Sequence, residues 1–201
     1  MKVAMHAQAE QLSPAKITAA RRLAPEAVGA AAALLLAASV VAYLRHALSL
    51  AGSAPLWMDE VLAVWTARQP SLAAVWQALK QGSEFSPPAY DALLHALVAA
   101  GFTSPLAMRM PSILAGLAAA GAAFALVRRH ASMAVAALAA ATVLGGGLFA
   151  YAVQARPYAC VVAAIAWAVV LWDGYPRRAR PDVRSATGIL LLCSLAVALH
   201  F

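Results

Sequence analysis

Two adjacent carboxylates, Asp59 and Glu60, are the first residues in the chain whose placement suggests chemistry. They follow the apolar run 27–44 by about fifteen residues, within reach of a bilayer surface. A carboxylate beside lipid is costly unless it is paired or used, so the two acids are candidates for a catalytic site. Acids in the first turn of a solvated helix would give the same pattern, because they interact favourably with the helix dipole. Both interpretations stay open on placement alone.

Two arginines stand near the starts of later apolar runs. Arg109 precedes Pro111-Ser112, and Arg156 precedes Pro157-Tyr158. Each arginine could simply anchor a helix end at a membrane surface. A planar guanidinium also binds phosphate through two hydrogen bonds, and a nearby acid could serve as a base or a metal ligand. Arginines and carboxylates gathered on one membrane face would therefore suit a phosphorylated, lipid-linked substrate.

The composition places these residues in a membrane protein. The 201 residues are 64% hydrophobic and 11% charged, with a mean hydropathy of +0.76. Soluble chains are roughly 45–50% apolar, and disordered chains are poorer still in apolar residues, so both classes are excluded. Two cysteines inside apolar runs exclude a disulfide scaffold. The net charge of +7 comes from short basic clusters between apolar runs, which indicates membrane topology rather than nucleic-acid binding.

Run lengths predict an all-α, polytopic membrane protein with about five transmembrane helices, since each crossing needs roughly 20 apolar residues. A cytoplasmic N-terminus over 1–26 would precede a membrane domain over 27–201, with an external loop over 46–107. If the apolar stretch Pro88–Phe102 does not cross, the Arg128 and Arg177 clusters both face the cytoplasm, as the positive-inside rule favours. A signal peptide over the first run is a less favoured alternative, because its apolar core is long. The predicted spans are 27–44, 110–127, 131–153, 158–172 and 186–201.

The external loop predicts short helices that lie against the membrane. Ser53-Ala54-Pro55 is typical of a helix start, with Trp57 on the apolar side of that helix. Ser71 would cap a second helix that ends before Gly82. Pro87-Pro88 predicts the start of another helix, and Gly145-Gly146-Gly147 predicts close packing or a kink within the third span.

Four motifs taken in order resemble one family. They are similar to the N-terminal half of polytopic GT-C glycosyltransferases that use polyprenyl-phosphate sugars. The nearest branch contains the rhizobial galacturonosyltransferases, the aminoarabinose transferase of lipid A and the protein O-mannosyltransferases. The resemblance covers about residues 27–201. It rests on Trp57-Met58-Asp59-Glu60, Ser86-Pro87-Pro88-Ala89-Tyr90, Arg109-Met110-Pro111-Ser112 and Ala155-Arg156-Pro157-Tyr158-Ala159.

The resemblance implies a role for each candidate residue. Asp59 matches an aspartate that acts on the acceptor hydroxyl as general base or helps to hold a divalent metal, and Glu60 is its neighbour. Glu84, just before the proline pair, is the candidate metal ligand. The remaining candidates lie on the lipid-phosphate and substrate side, and they are Tyr90, Arg109, Arg156 and Tyr158. The resemblance also implies a bacterial-type inner membrane, with a polyprenyl-phosphate sugar and membrane lipids as partners.

Two departures from the family pattern limit what it implies. Family members often carry His-Pro-Pro-Leu-Tyr-Tyr where this chain has Ser86-Pro87-Pro88-Ala89-Tyr90-Asp91, so a metal at this loop is in doubt. Members are also usually more than twice as long, which predicts that this chain is a truncated piece or a split gene product. Two other classes remain as alternatives, a non-catalytic membrane remnant and a small transporter or flippase subunit. None of the four complete predicted spans carries a charged residue near its centre, which counts against transport.

Overall fold

The computed structural model describes residues 14–83, 88–175 and 183–200, with side chains described only within 26–199. Over these residues the chain is helical, with turns between the helices and no strand, as the sequence predicts. The helices are α1 (Pro14–Ser53), α2 (Met58–Ala67), α3 (Leu72–Lys80), α4 (Pro88–Ala99), α5 (Pro105–Arg128), α6 (Met133–Gly145), α7 (Leu148–Ala152), α8 (Tyr158–Gly174) and α9 (Val183–His200).

Within the part of the chain that the structure describes, two helices are long and apolar enough to cross a membrane, namely α1 over Glu26–Ser53 and the whole of α5. The other apolar helices are shorter, and the clearest difference from the sequence expectation is in the predicted span 131–153. It is divided into α6, of 13 residues, and α7, of 5 residues, because the helix breaks at Gly146 and Gly147. At 1.5 Å per residue, α6 alone is shorter than a hydrocarbon core of about 30 Å.

The long helices pack through small residues and turn their large apolar side chains outward. α5 lies in the centre and contacts α1, α6, α7 and α8, while α9 packs on α8. Alanines fill the helix contacts, including Ala47, Ala119 and Ala140, whereas Leu34 on α1 is 71% exposed. Small residues let helix backbones approach closely, and an outward apolar face is suited to lipid. This arrangement agrees with the composition.

The three short helices α2, α3 and α4 form a layer at one end of the bundle, here called the site end. Ser71 caps α3 by accepting a hydrogen bond from the Ala74 N–H at 3.2 Å, and Gly82 follows the helix with φ of +80°, so both predictions are confirmed. Pro88 begins α4 as predicted, and the 12 residues of that helix are too few to cross a bilayer. Trp65 and Trp76 both face outward, where an interface would accept them.

Polar contacts join α5 to α8 at the opposite end of the bundle. Arg129 and His130, which follow α5, both reach Asp173 near the end of α8, at 3.2 Å and 3.0 Å. Arg129 also donates to the Val170 carbonyl. The turn after α5 is therefore attached to α8.

A close contact between α1 and α5 gives the first testable prediction. The Tyr43 hydroxyl donates to the Ile113 carbonyl at 2.8 Å, and a methyl group added at Gly116 would overlap that hydroxyl and lie 3.1 Å from Ala152 Cβ. Gly116→Ala should therefore lower the free energy of unfolding by about 1–3 kcal/mol, despite the better helix propensity of alanine. Thermal unfolding in detergent measures this change.

Gly121→Ala is the matched control, because its added methyl would lie 3.8 Å from Trp167, an ordinary contact distance. In a Tyr43→Phe background the overlap with the hydroxyl disappears, so Gly116→Ala should cost less there. Equal effects of Gly116→Ala and Gly121→Ala would show that the α1–α5 contact is not as tight as described.

Candidate functional site at the clamp between α2 and α5

A buried ion pair between Glu60 and Arg109 joins α2 to α5 at the site end, and this pair with its backbone partners is here called the clamp. The Arg109 Nε donates to Glu60 Oε1 at 2.8 Å, and Arg109 Nη2 donates to Glu60 Oε2 at 2.6 Å. The two side chains are 2% and 1% exposed. This is the two-pronged geometry in which arginine and carboxylate bind most strongly, although the residues lie 49 positions apart in the sequence.

The rest of the Arg109 guanidinium is bound to the backbone that links α1 and α2. Its Nη1 donates to the carbonyls of Ala51 and Ala54, at 2.8 Å and 2.9 Å, and its Nη2 donates to the Pro55 carbonyl at 2.9 Å. All five N–H donors of the guanidinium therefore have partners within the chain. Helix carbonyls near the end of α1 are a favourable environment for a cation, because the helix dipole is negative there.

The Glu60 carboxylate is bound just as completely. Besides Arg109, its Oε1 accepts from the Ala155 N–H at 2.7 Å, and its Oε2 accepts from the Trp57 N–H at 2.9 Å. Burial alone would raise the pKa of Glu60, but the hydrogen bonds from Arg109, Ala155 and Trp57 and the arginine charge outweigh it, so the pKa lies below its ordinary value. Glu60 is therefore an ionised structural group.

The segment between α7 and α8 is held at two successive residues. The Ala155 N–H binds Glu60, and the Arg156 carbonyl accepts a hydrogen bond from Ser112 Oγ at 2.7 Å. Since the Ser112 proton is used there, the Tyr90 hydroxyl, 3.1 Å away, donates to Ser112. Burial raises the pKa of Tyr90 well above its usual range, so this hydroxyl keeps its proton. Together these contacts fix the backbone that carries Arg156.

Asp59 and Arg156 face a common cavity above this clamp. The cavity has a volume of about 290 Å³, and Asp59 on its rim is exposed. The Arg156 Nη1 lies 3.4 Å from the Asp59 carbonyl oxygen, and the guanidinium lies 5.8 Å from the centre of the Tyr158 ring. An aromatic face beside arginine adds a cation–π attraction. The lining residues are Trp57, Met58, Asp59, Glu60, Gln154 and Arg156.

The structure brings together three of the candidate residues and places others beneath them. Asp59, Glu60 and Arg156 line the cavity, and Tyr158 lies beside Arg156. Arg109 and Tyr90 do not reach the cavity surface. The expectation that Arg109 contacts a lipid phosphate is therefore revised, because its N–H groups are all engaged. Tyr90 is also buried, and its hydroxyl is bound to Ser112.

Two residues near the cavity, and the question of a metal ligand, complete the description of the site. Ser112 and Ala155 were quoted in the motifs but not assigned to the site, and only the fold shows that they hold Arg156. Glu84, the candidate metal ligand, lies outside the described residues. Across the described residues, no group of three or more His, Cys, Asp or Glu side chains is close enough to hold a metal ion.

Comparison with protein-family models, with curated proteins and with solved structures finds no match to this chain.

Removing one member of the ion pair gives the second prediction. Glu60→Gln leaves the buried Arg109 cation without its counter-charge, and breaking such a pair costs about 3–5 kcal/mol in the free energy of unfolding. The double variant Glu60→Gln/Arg109→Gln should cost less than the sum of the two single variants, because no uncompensated charge remains. Denaturant unfolding of the purified chain in detergent measures both.

Arg68→Gln is the matched control, because Arg68 is exposed and donates a single long bond, of 3.3 Å, to the Thr103 carbonyl. It should change the free energy of unfolding by no more than about 0.5 kcal/mol. If the double variant loses as much unfolding free energy as the two single variants added together, Glu60 and Arg109 do not form the ion pair described.

The lowered pKa of Glu60 predicts how the free energy of unfolding depends on pH. Because the folded state holds the pKa of Glu60 below its ordinary value of 4.5, the carboxylate contributes its full stabilisation above pH 4.5. That contribution is lost as the pH falls through the folded-state pKa. The difference in unfolding free energy between the wild-type chain and Glu60→Gln should therefore shrink as the pH is lowered from 7 to about 3. A difference that stays constant over this range would contradict the assignment of an ionised Glu60.

Proposed function

We propose that this chain is a membrane glycosyltransferase, or the N-terminal portion of one, that transfers a hexose or pentose from a polyprenyl phosphate to an acceptor hydroxyl. The observation that carries the proposal is that Asp59 and Arg156 face one cavity, with an exposed carboxylate beside a positioned guanidinium. A base and a phosphate-binding cation are the two groups that this transfer needs. The resemblance of the four motifs to GT-C glycosyltransferases agrees with this reaction.

The reaction would be one inverting displacement at the anomeric carbon. Asp59 accepts the proton of the acceptor hydroxyl while the hydroxyl oxygen forms its bond to the anomeric carbon. The bond from that carbon to the phosphate oxygen breaks, and its electron pair leaves with the polyprenyl phosphate. Arg156 binds the departing phosphate, whose charge increases as the bond breaks.

The clamp supports this chemistry by positioning the two groups in advance. Glu60 connects α2, which carries Asp59, to Ala155, which precedes Arg156. Ser112 holds the Arg156 carbonyl from the other side. Groups that are already oriented do not have to be reorganised during the reaction, and this preorganisation is a large part of electrostatic catalysis. In this proposal Glu60, Arg109, Tyr90 and Ser112 are positioning residues.

The proposed membrane arrangement puts the site end outside the cytoplasm. Arg128 and Arg129 lie at the opposite end of the bundle, and a cytoplasmic location for them follows the positive-inside rule. The N-terminus of α1 is then cytoplasmic, and the apolar helices make about five crossings. Trp57 and Met58, which are 73% and 78% exposed, form an apolar rim beside Asp59 that suits a substrate delivered from the membrane.

Asp59→Asn tests the assigned base. The amide cannot accept the acceptor proton, so the rate of sugar transfer should fall at least about a hundredfold. The assay supplies membranes that contain the chain with polyprenyl phosphates carrying radiolabelled hexose or pentose, and it measures label transferred to membrane acceptors.

Glu26→Gln is the matched control, because this exposed acid lies on α1 far from the cavity and should leave transfer unchanged. Thermal unfolding of Asp59→Asn shows whether the fold is intact. Full activity of Asp59→Asn would show that Asp59 is not the general base. Wild-type membranes that transfer no label from these donors would show that the chain does not catalyse the proposed sugar transfer.

A further inference from the structure

Two adjoining cavities lie on α1, away from the Asp59–Arg156 cavity. One, of about 490 Å³, is a groove between α1 and the α6–α7 break. The other, of about 610 Å³, is open and lies along the neighbouring face of α1. They share Ala42 and His46, so they form one continuous depression, and none of their lining residues belongs to the Asp59–Arg156 cavity.

The open cavity contains a cation without a counter-charge. Arg45 is exposed and lines this cavity, and it makes no ion pair or hydrogen bond with the part of the chain that the structure describes. The residues that line either cavity include no acid. Arg45 directly follows the apolar run 27–44, about two helical turns before α1 ends at Ser53, so its long side chain can extend to the level of the lipid headgroups. A cation at that level is stabilised by an anion from the surrounding membrane.

The groove next to Arg45 combines a polar mouth with an apolar floor. The His46 ring is stacked on Phe149, with 4.8 Å between ring centres, which fixes its position at the mouth. Ser49 lies one helical turn beyond Arg45 on the same open cavity. Below them the groove is lined by Tyr43 and Leu144, and the Tyr43 hydroxyl is already bound to the Ile113 carbonyl. Ser39 also lines the groove, at its other end, but its hydroxyl already donates to the Leu35 carbonyl at 2.8 Å. The polar side chains that remain for a ligand are therefore at the end near Arg45.

We propose that this depression binds an anionic phospholipid. Arg45 binds the phosphate, with His46 and Ser49 beside it, and one acyl chain lies in the groove between α1 and α6. Burying the acyl chain against the groove is favourable, because it covers apolar surface. A lipid with net negative charge fits better than one whose headgroup carries an ammonium group, since no acid lines the depression to bind an ammonium. This site is separate from sugar transfer.

Phosphatidylglycerol titrated into the full chain in detergent tests the site, with bound lipid counted by native mass spectrometry. The wild-type chain should bind one phosphatidylglycerol preferentially. Arg45→Gln should weaken this binding about tenfold, because the charge-assisted phosphate contact is lost. Ala42→Leu should weaken it as well, because the larger side chain fills the depression while leaving Arg45 in place. Lys80→Gln, which removes an exposed cation on α3, is the control and should bind as the wild type does.

Further measurements separate the proposed lipid from other occupants. Arg45→Lys keeps the positive charge that binds the phosphate, so it should retain part of the affinity for phosphatidylglycerol. Phosphatidylethanolamine and uncharged diacylglycerol should bind more weakly than phosphatidylglycerol. Equal binding of all three lipids, or equal binding by the wild type and Arg45→Gln, would overturn the site. A polyprenyl phosphate that displaces phosphatidylglycerol in an Arg45-dependent way would overturn the choice of phospholipid. None of these measurements requires a sugar donor.

Discussion

The ion pair between Glu60 and Arg109 is the interaction that connects α2 to α5, to the end of α1 and to the segment before α8. Arginine donates to the carbonyls that end α1 and begin the link to α2, while glutamate accepts from the backbone on both sides of the cavity. Two buried charges would normally be destabilising, because removing them from water is costly. Here every donor of the guanidinium and both oxygens of the carboxylate are bound, so the desolvation cost is offset by complete hydrogen bonding.

The same pair explains why the two candidate acids, and the two candidate arginines, lie in different environments. Of the two adjacent acids, Glu60 points inward and is fully occupied, whereas Asp59 is exposed at the cavity. Of the two arginines, Arg109 is internal, and Arg156 contacts the cavity and the Tyr158 ring. One acid and one arginine therefore form the buried ion pair, and the other acid and arginine line the cavity. Tyr90 and Ser112 add a second support, through the carbonyl of Arg156.

Local features of the fold could be predicted from the sequence, and long-range pairing could not. The cap at Ser71, the turn at Gly82 and the start of α4 at Pro88 depend on residues within one helical turn, and all three predictions are confirmed. A helix was expected to begin near Ser53-Ala54-Pro55, but α2 begins at Met58, because the carbonyls of Ala54 and Pro55 are bound to Arg109. Neither periodicity nor charge pattern specifies a partner 49 positions away.

Chemical cross-linking tests most directly whether the clamp presents Asp59 and Arg156 at one membrane face. Cysteines at positions 59 and 156, in a chain with Cys160 and Cys193 replaced by alanine, are treated in sealed vesicles with a short, membrane-impermeant bifunctional thiol reagent. Linked peptides are then identified by mass spectrometry. We expect a cross-link between 59 and 156 that is lost in Glu60→Gln, and none between 59 and a cysteine at 128. If positions 59 and 156 are not cross-linked from the same side, or if the cross-link persists in Glu60→Gln, the clamp does not hold the two positions together at one membrane face.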